Sequence, residues 1–122
     1  MTIKRIAGDF SVCRVQDYSL VNLDAPYCFT GKTDEEKSLV CLAGDVPANT
    51  LAREDGWRAF RIEGVLDFSL IGILARIASL LAQAGVGIFV VSTFNTDYVL
   101  VKRENEEKAL CTLQSAGYEI RE

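Results

Sequence analysis

The sequence predicts an α+β fold, in which helices cover a sheet of short strands. Two features of the 122-residue chain support this prediction. Its apolar residues alternate with period two over residues 57–63, just before a segment where they recur with a helical period. In addition, 49% of the residues are hydrophobic, which is enough to bury a core and argues against a disordered chain.

The second half of the sequence carries the clearest pattern. Residues 57–63 alternate between apolar and polar side chains and predict a strand. Residues 69–84 then place their apolar side chains on a single helical stripe. Asp67 or Ser69 is expected to cap this helix, and Gly85 is expected to end it in a left-handed conformation.

The remaining elements of this half complete a β-α-β-β-α-β order. Residues 86–94 are apolar on both faces and predict a strand covered on both sides, while residues 97–102 predict the strand that returns beside it. A second helix is expected from Asn105 to Gly117, and a short last strand over residues 118–120. This order is that of a ferredoxin-like sandwich.

The first half resembles the second in a short sequence echo. The pattern T-x-x-T-D occurs at residues 30–34 and again at 93–97, each time between apolar runs. In the first half, too few residues separate the first strand from the T-x-x-T-D pattern to form a full first helix. This helix is therefore expected to be short or absent, around residues 17–23. We therefore predict two similar modules, a helix-poor one over residues 1–56 and a complete one over 57–122, although so short an echo also occurs by chance.

Charge and composition exclude several classes of function. The net charge is −4, the pI is about 4.9 and the basic residues form no stripe, which argues against binding to nucleic acid or to an anionic membrane. No apolar run reaches the roughly 18 residues of a membrane span, and the first ten residues do not resemble a secretory leader. A cytoplasmic location is therefore expected.

The chain contains no histidine, which removes the commonest general base and most zinc chemistry. Its four cysteines lie within apolar segments at spacings that fit no metal site, so they are expected to be reduced core residues. Thiol chemistry at one of them is a weaker alternative. We predict that the chain is not an enzyme and uses no metal or cofactor.

Two segments, residues 63–72 and 93–101, resemble the ACT-domain superfamily. The resemblance is greatest to small bacterial proteins with two ACT modules, related to the regulatory domain of aspartokinase, and extends to the ACT modules of cytosolic arginine sensors. It is good over residues 57–122 and loose over 1–56. The chain departs from the family in lacking the Pro-Gly pair that often precedes the first helix, where it has Ser69 and Leu70.

The resemblance implies that a small molecule, typically an amino acid, binds where two ACT modules meet. Three regions are implied as ligand contacts: the loop before the first helix, the start of the second strand and the hairpin after it. Mapped onto this sequence, the implied contacts are Gly64, Val65, Asp67, Phe68, Ser69, Ile71, Gly72, Val86, Gly87, Ile88, Thr93, Phe94, Asn95 and Asp97.

The residue chemistry agrees with such a site. A ligand carboxylate prefers the free N–H groups at a helix start, and a ligand ammonium prefers carboxylates such as Asp67 and Asp97. A basic ligand side chain would favour Glu63 or an acidic group of the partner module. Each of these residues also has a structural interpretation, since Asp67 is a candidate cap and Asp97 and Asn95 are ordinary turn formers.

The sequence therefore predicts a non-catalytic regulatory or sensor protein that binds an amino acid through an ACT-module interface. The alternative is a structural protein–protein interaction module whose ligand site is vestigial. The strand around residues 88–91 is apolar on both faces, so its second face needs cover from the companion module or from a second chain. A homodimer, or a partner protein bound through the ACT surfaces, is therefore also expected.

Overall fold

The computed structural model describes residues 1–63 and 71–122 of the chain. The predicted site residues Gly64, Val65, Asp67, Phe68 and Ser69 lie outside the described residues. No helix within the described ranges combines the length and the apolar character that a bilayer span requires.

The chain divides into two compact units. The larger unit comprises Met1–Ala7 and Arg58–Glu122, and the smaller unit comprises Gly8–Trp57. Two long strands, β1 (Thr2–Val15) and β4 (Thr50–Ile62), each contribute residues to both units.

The larger unit carries both α-helices that the described residues form. Its strand order is β7-β1-β4-β6-β5. Besides the parts of β1 and β4, its elements are α1 (Ile73–Gln83), β5 (Phe89–Ser92), β6 (Asp97–Lys102), α2 (Glu106–Ser115) and β7 (Glu119–Arg121). This α+β arrangement is consistent with the predicted ferredoxin-like fold, and the bounds of β6 agree with the prediction.

The start of α1 differs from the prediction. The helix begins at Ile73, and its N-cap is Gly72 with φ +85° and no side-chain hydrogen bond, not Asp67 or Ser69. The predicted ends are confirmed, because Gly85 (φ +77°) and Gly117 (φ +101°) follow α1 and α2 in conformations that suit glycine. The second strand is shorter than predicted, since β5 begins at Phe89 rather than at residue 86.

The last strand has an unexpected neighbour. β7 pairs in parallel with the start of β1, with Thr2 opposite Glu119 and Lys4 opposite Arg121. The Glu63 amide donates to the Thr2 carbonyl at 2.9 Å, so the start of β1 lies at the end of β4. The first residues of the chain therefore belong to the sheet of the larger unit. The predicted modules, residues 1–56 and 57–122, assign them to the first module instead.

The core of the larger unit lies between its strands and its two helices. Ile77 and Leu81 of α1 and Leu113 of α2 are fully buried there against Val99 and Val101 of β6. Leu100, which lies between these valines and points to the opposite face, is also 0% exposed. Both faces of β6 are thus covered, whereas Phe89, Val90 and Val91 of β5 are half-buried.

The smaller unit contains no α-helix. It consists of β2 (Cys28–Lys32), β3 (Lys37–Leu42) and parts of β1 and β4 in the order β2-β3-β1-β4. Residues 16–27, where a short or absent helix is predicted, form only turns. Tyr18 and Val21 from this segment pack on a small core of Cys13, Val15, Leu39 and Cys41.

The two hairpins correspond more closely than the sequence echo suggests, but in a different register. β3 and the 3₁₀ turn Ala43–Asp45 recur 60 residues later as β6 and the 3₁₀ turn Arg103–Asn105. The echo at residues 30–34 and 93–97 is spaced by 63 residues, so the register that it implies is wrong by three. The structural equivalent of Thr93 is Thr33, because the amide of each threonine donates to the carbonyl of the residue three positions later.

Candidate functional site

A cleft of about 400 Å³ opens in the larger unit between the start of α1 and the end of α2. We call it the α1–α2 cleft. Its size falls in the range of about 300–1,000 Å³ that is usual for small-molecule sites. The described residues that line it are Met1, Ile71, Gly72, Ile73, Arg76, Ala116, Gly117 and Tyr118.

The α1 side of the cleft presents the positive end of a helix. Gly72 has no side chain with which to cap α1, and its carbonyl accepts the first helical bond from Arg76 at 2.9 Å. The amides of residues 73–75 therefore have no helical acceptor. Within residues 1–63 and 71–122 no acceptor lies against these three N–H groups, so they and the helix dipole favour an anion at this position.

The α2 side presents the negative end of the other helix. The Tyr118 amide donates to the Leu113 carbonyl at 3.1 Å and the Gly117 amide to the Gln114 carbonyl at 3.0 Å, which is the Schellman arrangement. It requires the left-handed φ of Gly117, +101°, and it turns the chain from α2 into β7. The cleft thus lies between helix ends of opposite polarity.

Arg76 has the charged side chain among the described residues that line the cleft. Its side chain is exposed and forms no ion pair with any carboxylate in residues 1–63 or 71–122. Ile71, at the rim, is 94% exposed. The cleft therefore combines an available guanidinium with mostly apolar walls.

Of the predicted ligand contacts that the structure describes, Ile71 and Gly72 lie in this cleft. Sequence reasoning missed Arg76, Ala116 and Tyr118. A signal for Arg76 was present, because it lies in the first turn of α1, where a free cation strengthens the attraction of the helix start for an anion. Ala116 and Tyr118 had no such signal, since only the packing of α2 beside α1 brings them there.

The predicted contacts Val86, Gly87 and Ile88 lie beyond the other end of α1. This helix has 11 residues, so about 16 Å separates its two ends. Val86 is 4% exposed and belongs to the core. Within one larger unit, residues 86–88 and Gly72 do not approach a common ligand.

The predicted hairpin contacts lie at the same end of the sheet as Gly72. Most of their polar groups form hydrogen bonds within the hairpin or to the end of β4. The Thr93 hydroxyl donates to the Thr96 carbonyl at 2.9 Å, and the buried Thr96 hydroxyl donates to the Ile62 carbonyl at 2.7 Å. Asp97 accepts a 2.5 Å hydrogen bond from the Ser92 hydroxyl. Asn95 and Phe94 are exposed, Phe94 by 79%.

Glu63, the predicted partner for a basic ligand side chain, already has two cationic neighbours. Its carboxylate lies 3.2 Å from the Nε of Arg61 and 3.8 Å from Nη2 of Arg121. Arg61 also donates to the Tyr98 hydroxyl at 3.1 Å, and this bond is the main cause that raises the pKa of Arg61. A cationic ligand would have to displace an arginine to reach Glu63.

A second groove of about 370 Å³ lies on the other side of α2, beside Arg5 and Ile120. There Glu106, whose side chain is 14% exposed, accepts two hydrogen bonds of 3.1 Å from Arg5 and one of 3.4 Å from Arg58. Arg5 also donates to Glu122 at 2.9 Å. Because these charges neutralise one another, this groove attracts an ionic ligand less strongly than the α1–α2 cleft.

The cysteines behave as core residues in the smaller unit. Cys13 and Cys41 are 3% and 2% exposed, and burial raises the pKa of both thiols, that of Cys41 to about 12. Cys111 is exposed on α2, so the expectation of a core residue is wrong for this cysteine. Within residues 1–63 and 71–122, no group of three or more acidic or thiol side chains is arranged to hold a metal ion.

Comparisons with known proteins agree with the fold of the chain. The sequence profile described as "ACT domain" matches residues 52–115, more than half of the chain. A protein of Agobacterium tumefaciens with a crystal structure is 30% identical, with a TM-score of 0.84, and the match covers 98% of this chain and 90% of that one. A comparison with curated proteins gives no match.

Two more distant structures come from aspartate kinases. The regulatory subunit from Thermus thermophilus, in its ligand-free form, is 13% identical with a TM-score of 0.65, and the match covers 96% of this chain and 97% of that one. The enzyme from Clostridium acetobutylicum is 15% identical with a TM-score of 0.65, over 93% of this chain and 33% of that one. At these identities the comparison concerns the fold alone.

Proposed function

The chain belongs to the ACT domain family, and on this premise we propose that it is a non-catalytic regulatory protein that binds a free amino acid in the α1–α2 cleft. The observation that carries the proposal is the meeting of two opposite helix ends in one cleft. An amino acid is a zwitterion, so it needs a positive and a negative environment a short distance apart.

The α1–α2 cleft offers both environments. The carboxylate of the ligand would accept hydrogen bonds from the free amides at the start of α1 and pair with Arg76. The ammonium would face the negative end of α2 near Ala116. The loop residues Gly64, Val65, Asp67, Phe68 and Ser69 remain predicted contacts and belong to the proposal on the strength of the resemblance alone.

Regulation would follow from differential affinity. A ligand that binds one arrangement of the protein more tightly than another shifts the population toward the first. A separate protein that recognises this arrangement would then respond to the amino acid concentration, and by reciprocity its presence would change the affinity for the amino acid.

We also propose that the protein forms a homodimer. The predicted contacts Val86, Gly87 and Ile88 lie about 16 Å from Gly72, at the far end of α1. If both groups contact one ligand, the second group must come from another copy. Sedimentation velocity at micromolar concentration is expected to show a particle of about twice 13.4 kDa, and a 13.4 kDa particle alone would refute the dimer.

The alternative function, a docking module for another protein, is favoured by two exposed apolar side chains. Ile71 and Phe94 are 94% and 79% exposed, and both lie at the end of the sheet where β4 stops at Ile62. A contiguous exposed apolar patch commonly marks an interaction surface, so the docking function requires these two side chains to belong to one patch.

Thermal unfolding of the full chain against each of the twenty amino acids separates the two functions. A ligand held at 100 times its Kd stabilises the native state by about 2.7 kcal/mol, which raises the Tm by roughly 10 °C in a domain of this size. A shift for one or a few amino acids is expected, and its loss in Asp67→Ala would place the loop at the ligand. A flat response across the panel would favour the docking module.

A further inference from the structure

Two of the cysteines face each other in the hairpin of the smaller unit. Cys28 of β2 lies directly opposite Cys41 of β3 in the antiparallel register. Residues directly opposite one another in such a pair place their side chains on the same face of the sheet. Both side chains are free thiols, and Cys28 packs against the small core that contains Cys41. The two thiols therefore lie side by side on one face of the hairpin.

The hydrogen bonds of the hairpin determine which kind of pair the two cysteines form. The Thr33 amide donates to the Glu36 carbonyl at 2.9 Å, so these residues continue the ladder as a hydrogen-bonded pair. Hydrogen-bonded and non-hydrogen-bonded pairs alternate along an antiparallel ladder. Cys28 lies five positions before Thr33 in an uninterrupted register. Because this number of steps is odd, Cys28 and Cys41 form a non-hydrogen-bonded pair.

A non-hydrogen-bonded pair brings its two side chains closer together than a hydrogen-bonded pair does. Its Cα atoms lie about 4.5 Å apart, inside the range of about 4.4–6.8 Å that a disulfide spans. Cys13 of β1 belongs to the same core but pairs directly with Leu39, so it lies diagonal to Cys41. Diagonal neighbours have Cα atoms about 7–8 Å apart, which a disulfide bridges only if the backbone moves. The geometry therefore favours Cys28 over Cys13 as the partner of Cys41.

The two thiols differ in their access to an oxidant. Cys28 is half-buried on β2, which forms an edge of the sheet, whereas Cys41 is only 2% exposed. An oxidant in solution therefore reaches Cys28 first. Burial raises the pKa of both thiols, so their thiolates are scarce at neutral pH and the oxidation is slow.

We infer that Cys28 and Cys41 form an oxidisable dithiol, which hydrogen peroxide converts into a disulfide between β2 and β3. In the first step the Cys28 thiolate attacks one peroxide oxygen, the O–O bond breaks, and a sulfenic acid and hydroxide form. In the second step the Cys41 thiolate attacks the Cys28 sulfur, the S–S bond forms and the sulfenic hydroxyl leaves. The thiol protons and both hydroxyl groups end as two water molecules, and the two electrons lost by the thiols reduce the peroxide.

The disulfide would restrain an edge strand of the smaller unit. Among the strands that the structure describes, β2 pairs only with β3. A covalent bond between the two strands suppresses the local opening of this hairpin. At the equivalent positions of the other hairpin, 60 residues later, stand Ile88 and Val101, which do not react in this way. Oxidation therefore acts on the smaller unit and is independent of the amino acid site proposed in the larger unit.

Tryptic peptide mapping of the full chain tests the pairing directly. Trypsin places each cysteine on a different peptide, namely residues 6–14, 15–32, 38–53 and 109–121. The reduced protein is treated with hydrogen peroxide, its remaining thiols are alkylated, and the digest is analysed by mass spectrometry without reduction. The peptides that contain Cys28 and Cys41 are expected to be joined, with a mass about 2 Da below their sum. This joined pair should be at least about tenfold more abundant than any other.

Single substitutions separate the proposed pair from the other thiols. Cys28→Ser and Cys41→Val are each expected to abolish the joined peptide, and valine is the residue that occupies the position equivalent to Cys41 in the larger unit, Val101. Cys13→Ala, which removes the other buried thiol of the smaller unit, should leave the joined peptide unchanged. Cys111→Ser, at the exposed thiol of α2, is the second control and should also leave it unchanged.

Three results of the mapping would overturn the inference. A joined peptide that contains Cys13 as the main product would contradict the assigned pairing. Cys28 recovered as a sulfinic acid, with Cys41 alkylated, would mean that Cys41 does not reach the oxidised sulfur. Complete alkylation of both cysteines after prolonged exposure to excess peroxide would mean that this hairpin is not oxidised.

Amide hydrogen exchange tests the effect of the disulfide on the hairpin. In the oxidised protein, residues 28–32 are expected to exchange at least about tenfold more slowly than in the reduced protein. Residues 89–92 of the other hairpin are the internal control and should exchange at an unchanged rate. Unchanged exchange at residues 28–32 would overturn the restraint of β2.

Discussion

The hairpin β2–β3 of the smaller unit and the hairpin β5–β6 of the larger unit are built alike but covered differently. Phe29 pairs with Val40 in the first, and Phe89 pairs with Leu100 in the second, each 60 residues later. β3 and β6 have the same length and the same order of half-buried and buried positions. Two helices cover the hairpin of the larger unit, whereas the turns of residues 16–27 lie against that of the smaller unit.

The comparison shows that the sequence of a strand specifies how far the strand is buried but not which element covers it. Three consecutive buried residues, Leu39–Cys41 or Val99–Val101, require cover on both faces of a strand but do not determine what provides it. In the smaller unit Tyr18 provides part of the cover, and its hydroxyl donates to the Ser38 carbonyl at 2.9 Å. Cys41 occupies the position that Val101 occupies in the larger unit, in keeping with the role of a small hydrophobe.

The largest expected effect comes from deleting the same side chain from each core. Leu81 in the larger unit and Leu39 in the smaller unit are both 0% exposed. Leu81→Ala is expected to cost about 4 kcal/mol of unfolding free energy, because two packed helices relax little around the cavity. Leu39→Ala is expected to cost about 2–3 kcal/mol, because a segment of turns can close over the missing volume more readily.

Urea denaturation at 25 °C measures this difference between the two variants. Leu51→Ala is the control, since Leu51 is 61% exposed and its removal should change stability by less than about 0.5 kcal/mol. Equal costs for Leu81→Ala and Leu39→Ala, or a greater cost for Leu39→Ala, would contradict the view that the cover of the smaller unit is the more adaptable.

Much of the larger unit was predictable because local signals agree there. The period of residues 73–83 predicts a helix, and glycine at residues 85 and 117 ends the two helices as expected. The N-cap of α1 was predicted wrongly, because Asp67 and Ser69 are better capping residues than Gly72. Capping propensity alone gives no reason to prefer a glycine at this position. The pairing of β7 with residues 2–4 depends on a contact across the whole chain, which no local pattern encodes.

The sequence echo shows a related limit. It identified the correct pair of hairpins but placed them three residues out of register, because threonine recurs at residues 30, 33, 93 and 96. The hydrogen bonds of the turns identify Thr33 and Thr93 as equivalent, with amide donations of 2.9 and 2.8 Å. Similarly, the cleft depends on helix ends that meet in space, so the sequence could supply Ile71 and Gly72 but not Ala116 or Tyr118.

The smallest expected effect compares two glycines with nearly the same positive φ, one in each unit. Gly8 in the smaller unit has φ +102° and Gly117 in the larger unit has φ +101°. A Cβ at Gly117 would meet nothing within 4 Å, so Gly117→Ala is expected to cost only the backbone strain, about 1–2 kcal/mol. A Cβ at Gly8 would lie 2.9 Å from Cδ2 of Leu42, so Gly8→Ala is expected to cost about 1 kcal/mol more.

The urea midpoints of the two alanine variants, measured at one pH, test this difference. Gly44→Ala is a suitable reference, because Gly44 has no positive φ and a Cβ there meets nothing within 4 Å. Equal losses for Gly8→Ala and Gly117→Ala would mean that Leu42 yields at no cost, since the far end of a leucine can rotate away. The contact between β1 and β3 at Gly8 would then accommodate an added methyl group without loss of stability. In this respect it would resemble the turns of residues 16–27, which we expect to close over a missing side chain.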